Sequence, residues 1–280
     1  MSPALAVVVS GASTGIGAAT VELLARQGYI AFAGVRNAAD GERIAALHPN
    51  VRPISLDVGD AVSIDAALRE VDALGVPLLG AVSNAGIAVG GPLEHVPIAE
   101  LRRLFEVNVF GALALAQAAL PRLAEGRGRI VFVGSISGRL SMPYVGPYSA
   151  SKFALRALSD ALRIELAPAR IAVSLIEPGS VKTPIWRKGR EAREGIFRTL
   201  ESTPRAHYRA VVERVIANTE SEERTGMPAE RVARAIVHAL TSSKPRARYV
   251  LGAPARLGTL VALLPQRWRD GALRASMRLP

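Results

Sequence analysis

Cysteine is missing from this 280-residue chain, so disulfides and thiolate metal or redox centres are excluded. Histidine is nearly as scarce: His48, His95, His207 and His238 are scattered with no pair at i,i+4 spacing, which argues against a histidine metal site. Aromatic residues make up 5% of the chain, too few to interleave with cations along a nucleic-acid face, so no nucleic-acid partner is expected. Long apolar runs are lacking too. The longest, Val109 to Leu120, contains Gln117 and stops at Pro121, short of the ~20 residues a spanning helix needs. No basic stretch leads into a long apolar region at the N-terminus, and the expectation is a soluble, cytoplasmic protein.

What is present suits one folded domain over residues 1–280: 49% of residues are hydrophobic and 21% charged, enough for a sizeable core and unlike a disordered chain. The net charge of +11 is concentrated at one end. Residues 244–280 hold eight cations and one acid, Asp270, for a net of +7, which leaves the body at only +4.

Short β-rich runs alternate with helical patterns. Ala4–Ser10, Ile30–Val35, Val51–Leu56, Leu79–Ser83, Arg129–Gly134, Ile171–Ile176 and Arg248–Leu251 read as strands. Most are continuously apolar, as strands covered on both faces are. Between them Gly15–Gln27, Asp60–Leu74, Ile98–Leu123 and Tyr148–Leu166 carry helical periodicity, and another helix starts near Pro228. The alternation predicts an α/β fold: a doubly wound, Rossmann-type parallel sheet of about seven strands with helices on both faces. Residues 180–227 interrupt the rhythm and read as a substrate lid, whose solvated face would carry the charges of Trp186–Arg224.

The first strand runs into Ser10-Gly11-Ala12-Ser13-Thr14-Gly15-Ile16-Gly17 and then a helix. Glycines there permit a tight turn, and the helix N-terminus offers unpaired N–H groups to a pyrophosphate. The second strand ends Gly34-Val35-Arg36 with no acid to hold a ribose 2′-hydroxyl. The cation at Arg36 instead favours a 2′-phosphate, hence NADP over NAD. Farther on, Tyr148 and Lys152 in Tyr-Ser-Ala-Ser-Lys stand at i,i+4, on the same helix face. A phenol with pKa ~10 exchanges protons poorly at neutral pH, and a nearby ammonium stabilises its phenolate.

With its G-x-x-x-G-x-G loop and Y-x-x-x-K, the sequence resembles the short-chain dehydrogenase/reductase family over about residues 4–252, with Ser10 where the family has Thr. The resemblance implies an oxidoreductase with Ser135, Tyr148, Lys152 and Asn108 as its catalytic set. Ser135 precedes Tyr148 by thirteen residues, the family's spacing, and would bond the substrate oxygen; Asn108 would link the lysine to solvent through water. Tyr148 and Lys152 would also hold the nicotinamide ribose. Gly11, Ser13, Thr14, Gly15, Ile16 and Gly17 would cradle the phosphates. Asp57 and Val58 would meet the adenine edge, and Asn84, Ala85 and Gly86 would pass close to the ribose. Pro178, Gly179, Val181 and Thr183 would run past the nicotinamide.

The stretches around Tyr148 and Glu177 look most like the hydroxysteroid and retinol dehydrogenase branch, implying a hydrophobic alcohol or carbonyl substrate of steroid, retinoid or aliphatic type. Specificity is expected from Arg139–Tyr144, from Gly91–His95 and from the insertion, with Leu140, Met142, Pro143, Val145 and Trp186 as apolar lining. Glu177 reads as a local structural acid. A cofactor-binding regulator on the same fold is the alternative, disfavoured because a sensor needs no proton relay. Family resemblance further implies homodimers or homotetramers built on the helices around Leu101–Leu123 and Tyr148–Leu166.

The last residues, 253–280, form an amphipathic basic extension. Leu257, Leu260, Val261, Leu264 and Trp268 fall near one helical face flanked by arginines, and Pro265 splits the segment into two short helices. Packing over the cleft or against a second subunit is the favoured role, ahead of weak contact with anionic lipid.

Overall fold

The computed structural model describes residues 5–123, 128–185, 217, 221 and 224–277. Seven parallel strands form one sheet: β1 (Ala6–Val9), β2 (Ile30–Val35), β3 (Val51–Ser55), β4 (Leu78–Ser83), β5 (Arg129–Val133), β6 (Ala172–Pro178) and β7 (Arg248–Leu251). Their order is β3-β2-β1-β4-β5-β6-β7, which matches the expected doubly wound sheet. The chain reverses its winding between β1 and β4, and a crevice opens beyond the carboxyl ends of those strands, where α/β sheets bind ligands.

The run Ala6-Val7-Val8-Val9 shows why the sheet lies in the middle. All four residues are buried. Ala6 and Val8 join one apolar layer with Phe32, Leu115 and Phe132. Val7 and Val9 join the opposite layer with Val21, Leu24 and Ile236. A strand so enclosed must be apolar at every position.

One face carries α1 (Gly15–Arg26), α2 (Ala38–Ala45) and α7 (Ala229–Thr241), and the other α3 (Ala61–Ala73), α4 (Ile98–Phe105), α5 (Gly111–Ala119) and α6 (Gly146–Glu165). A π turn, Glu106–Phe110, joins α4 to α5. The joined run Ile98–Arg122 is long and apolar enough by composition to cross a membrane, more so than the Val109–Leu120 stretch suggests. In the fold its α5 part covers the sheet, with Leu115, Ala116 and Ala119 completely buried, while Leu104 packs with Ala88, Val89 and Tyr148.

The C-terminal extension forms α8 (Ala253–Val261) and α9 (Gln266–Ser276), split at Pro265 as its sequence requires. Most of the insertion after Gly179 lies outside the described residues, Trp186 included. Its two ends meet: the Lys182 N–H donates to the Met227 carbonyl at 3.0 Å, and the Met227 N–H to that of Ser180 at 2.9 Å.

Candidate active site

The loop after β1 is shaped by what surrounds it. Gly11 has φ +63°, and a Cβ there would lie 2.7 Å from the Ala85 Cα. A Cβ on Gly17 would sit 2.4 Å from the Gly11 carbonyl oxygen. No larger residue fits either position. Ser10 Oγ donates to the Val82 carbonyl (3.3 Å) and accepts the N–H groups of Asn84 and Ala85, both at 3.1 Å, so Ser does the structural work of the family's Thr. Asn84 Nδ2 donates back to the carbonyls of Ser10 and Gly11 at 2.9 and 3.0 Å. The loops after β1 and β4 are thereby locked together.

Thr14 caps α1 without a side-chain hydrogen bond, and the first turn carries no acid. Its backbone N–H groups and the positive end of the helix dipole are left to an anion. Thr183 lies across this loop, its Cγ2 3.0 Å from where a Gly15 Cβ would be.

A cavity of about 660 Å³ extends from here along the strand ends. One end is walled by Gly34, Val35, Arg36, Asp57 and Val58, and its middle by Asn84, Ala85 and Gly86. Pro178, Gly179, Val181 and Thr183 line the other side. Every expected cofactor residue borders this space except Gly17, which is buried beneath the loop. Asp57 Oδ1 accepts the Gly59 N–H at 3.0 Å, fixing the turn after β3. One cation escaped the sequence reading: Arg43, two turns into α2, donates from Nη2 to the Ser13 carbonyl at 2.7 Å. It also pairs with Asp40 on its own helix, and its place on a helix with no strong periodic signal hid it. The donor set suits a phosphorylated dinucleotide: a helix N-terminus for the pyrophosphate and Arg36 on the wall for a 2′-phosphate.

At the far end of the cavity Tyr148 and Lys152 rise one turn apart on α6, both buried, with Ser135 at the end of β5. The Ser135 hydroxyl hydrogen-bonds the Tyr148 phenol and also accepts the Ser137 N–H at 3.1 Å. Burial pushes Tyr148 up to about 12, and the bond with Ser135 opposes that only in part. Burial pushes Lys152 down to about 8. Lys152 Nζ donates to the Val133 carbonyl at 2.9 Å and stands 5.6 Å from the Tyr148 ring centre. In the chain alone desolvation therefore outweighs the ammonium, and the phenol is held protonated.

Asn108 is buried on the π turn. Its Oδ1 accepts the Ile87 N–H (2.9 Å), while Nδ2 donates to the Ile87 carbonyl (3.0 Å) and to Ser151 Oγ (3.1 Å). Ser151 Oγ in turn donates to the Tyr148 carbonyl at 2.7 Å. Both amide hydrogens are engaged away from Lys152, so this side chain braces the loop after β4 against the first turn of α6.

The substrate end differs in detail. Leu140, Met142 and Val145 line the cavity, joined by Ile87, Ile136, Ile185, Gly258 and Met277. Arg139 does not: it turns from the cavity to a two-pronged ion pair with the fully buried Glu177, Nε to Oε1 at 2.7 Å. Gly91–His95 and Pro143 do not border it, and the Gly91 N–H donates to the Tyr144 carbonyl at 2.8 Å. Glu177 is the structural acid its position suggested.

The family model for short chain dehydrogenase matches residues 5–194. An "NADPH-dependent 3-dehydrocapnine reductase" of Ornithobacterium rhinotracheale is 36% identical over 275 residues, covering 94% of each chain. A "3-amino-tetrahydro-pyrrolizinone reductase" of Xenorhabdus hominickii is 32% identical over 253 residues, covering 89% of this chain and 87% of its own. Among solved structures, a short-chain dehydrogenase from Streptomyces avermitilis superposes with a TM-score of 0.79 at 29% identity, covering 99% of this chain and 96% of its own.

Proposed function

The chain belongs to the short chain dehydrogenase family, and from that premise we propose that it is an NADP(H)-dependent oxidoreductase for a bulky, apolar ketone, aldehyde or secondary alcohol. The observation that carries this reading is the meeting of Ser135, Tyr148 and Lys152 with the glycine loop on the wall of one cavity. The preference for NADP rests on Arg36 on the cavity wall, and a relative described as NADPH-dependent supports it. NAD remains a weaker alternative cofactor. The apolar substrate class, of steroid, retinoid or aliphatic type, rests on Ile87, Leu140, Met142, Val145 and Ile185.

The dinucleotide, when bound, supplies or accepts the hydride. The chain moves the proton. Ser135 Oγ and the Tyr148 hydroxyl, already hydrogen-bonded, converge on the position of the substrate oxygen. In the reductive direction Tyr148 donates its proton as charge develops on that oxygen. Lys152 stabilises the phenolate that results, and Asn108 positions Tyr148 by way of Ser151. The assembly is proposed to be a cytoplasmic homo-oligomer.

The test is nicotinamide absorbance over a panel of hydroxysteroids, retinoids and simple ketones with NADPH and NADH. Tyr148→Phe is expected to lose about 10²–10⁴-fold in turnover while still binding NADPH. Full activity in that variant overturns the assignment of the proton donor. Arg36→Ala is expected to bring the two cofactors to comparable rates, and comparable rates in the unaltered chain overturn the NADP preference.

A further inference from the structure

In the single chain the tail's apolar stripe does not pack over the cleft. Leu257 and Leu260 are each 63% exposed, Leu263 79% and Trp268 72%, with Leu264 at 41%. The opposite side of α8 does the packing: Ala255 is fully buried, and Gly258 borders the cavity together with Ser276 and Met277 at the end of α9. The extension thus has two faces, one closing the substrate end of the cavity and one turned outward.

The outward face is not ordinary surface. Leu257, Leu260 and Leu264 recur at three- and four-residue spacing, which lays them along one side of α8 and the turn after it. Arg256, Arg267, Arg269 and Arg274 flank them, and Asp270 is the sole acid from residue 244 to the end. A protein partner of ordinary surface composition would not call for that one-sided charge. A layer with an anionic face over an apolar interior would: it takes the leucines and tryptophan inward and leaves the guanidinium groups among the headgroups.

We propose that α8 and α9 dock the protein on an anionic lipid bilayer, which places the apolar end of the cavity at the membrane surface. The inference rests on this surface and on its charge, independently of the redox reading. A single amphipathic face with a few cations gives reversible attachment, not insertion.

The experiment is co-sedimentation of the full chain with vesicles of phosphatidylcholine alone or of equal parts phosphatidylcholine and phosphatidylglycerol. Binding to the anionic vesicles only is expected, with partitioning about fivefold weaker for each arginine changed among Arg256→Gln, Arg267→Gln and Arg269→Gln. Leu257→Ser/Leu260→Ser/Trp268→Ser is expected to abolish binding while keeping the thermal transition and NADPH binding of the unaltered chain. Trp268 emission, read in a Trp186→Phe background, should shift to the blue on anionic vesicles. Equal recovery with both vesicle types, or with neither, overturns the proposal. So does light scattering in which the triple serine variant dissociates an oligomer while the unaltered chain ignores lipid, since a second copy then covers the face.

Discussion

Lys152 is a cost to the fold that the proposed chemistry requires. It is 4% exposed, holds one hydrogen bond to the Val133 carbonyl, and has its pKa drawn from 10.5 down to about 8 by desolvation. A depressed lysine means the unfolded chain binds more protons than the folded one between those pH values, so this site makes stability rise with pH there. Below pH 8 the cost is fully present, on the order of 3 kcal/mol, against about 1 kcal/mol for the one hydrogen bond. Lys152→Met is therefore expected to be inactive yet more stable at pH 7 by about 2 kcal/mol, the gain fading between pH 8 and 10.5. Thermal melts of both proteins across that range check it; a variant less stable at pH 7, or a difference flat with pH, contradicts it. Tyr148 works in the opposite sense, since its raised pKa contributes stability below pH 10 that is lost as pH climbs toward 12. The tyrosine, lysine and serine were legible in the sequence because one helical turn and one strand end fix their meeting. The partners of Asn108 were not, because a π turn leaves no periodic trace and changes which way a side chain faces.

Between elements, the Arg139–Glu177 pair ties the loop that carries Ser135 to the end of β6, whose next residues border the cavity. The pair is nearly dry, with side chains 14% and 1% exposed. Arg156 and Arg248 stand close by: Arg156 is held below the usual guanidinium range first by desolvation and then by Arg248 and Arg139. Glu177→Gln would strand Arg139 among like charges with Asp160 as the remaining acid, so a loss of about 3–5 kcal/mol is expected. Removing both charges, as in Arg139→Met/Glu177→Leu, should cost less than the single change, because no unpaired ion stays behind. Denaturant midpoints of the two variants decide; a double variant weaker than the single one denies the pairing its role. At this scale the strands were readable to within two residues, since a strand buried on both faces must be apolar throughout. The helix α2 was not, for Ala-Ala-Asp-Gly-Glu-Arg-Ile-Ala buries only Gly41 and Ile44 and shows no apolar stripe. The exact cavity wall was hidden as well: Ile87, Gly258 and Met277 come from three distant parts of the chain, and nothing local marks them as neighbours.

On the scale of the whole molecule, two apolar surfaces stand out among the described residues, and their surroundings suit different partners. One is the tail face with its arginines. The other lies on the joined helix α4–α5 and on α6, where Ile98 and Ile164 are each 61% exposed, Phe110 56% and Phe153 39%. These are the helices from which the resemblance implied a homodimer or homotetramer, and packed helices offer the flat, self-complementary face that two-fold association uses. Phe110→Asp/Ile164→Asp would place four charges in such an interface, two from each protomer. Losing the burial of four large side chains at about 1.5 kcal/mol or more apiece weakens association by about 10⁴-fold. Both residues are exposed in the single chain, so the substitution leaves the core untouched and NADPH binding should survive it. Light scattering at matched concentration is expected to show the unaltered protein as an oligomer and this variant as a monomer, whereas Trp268→Ser leaves the oligomer mass unchanged. A mass unaltered by Phe110→Asp/Ile164→Asp, or halved by Trp268→Ser, would exchange the roles of the two surfaces.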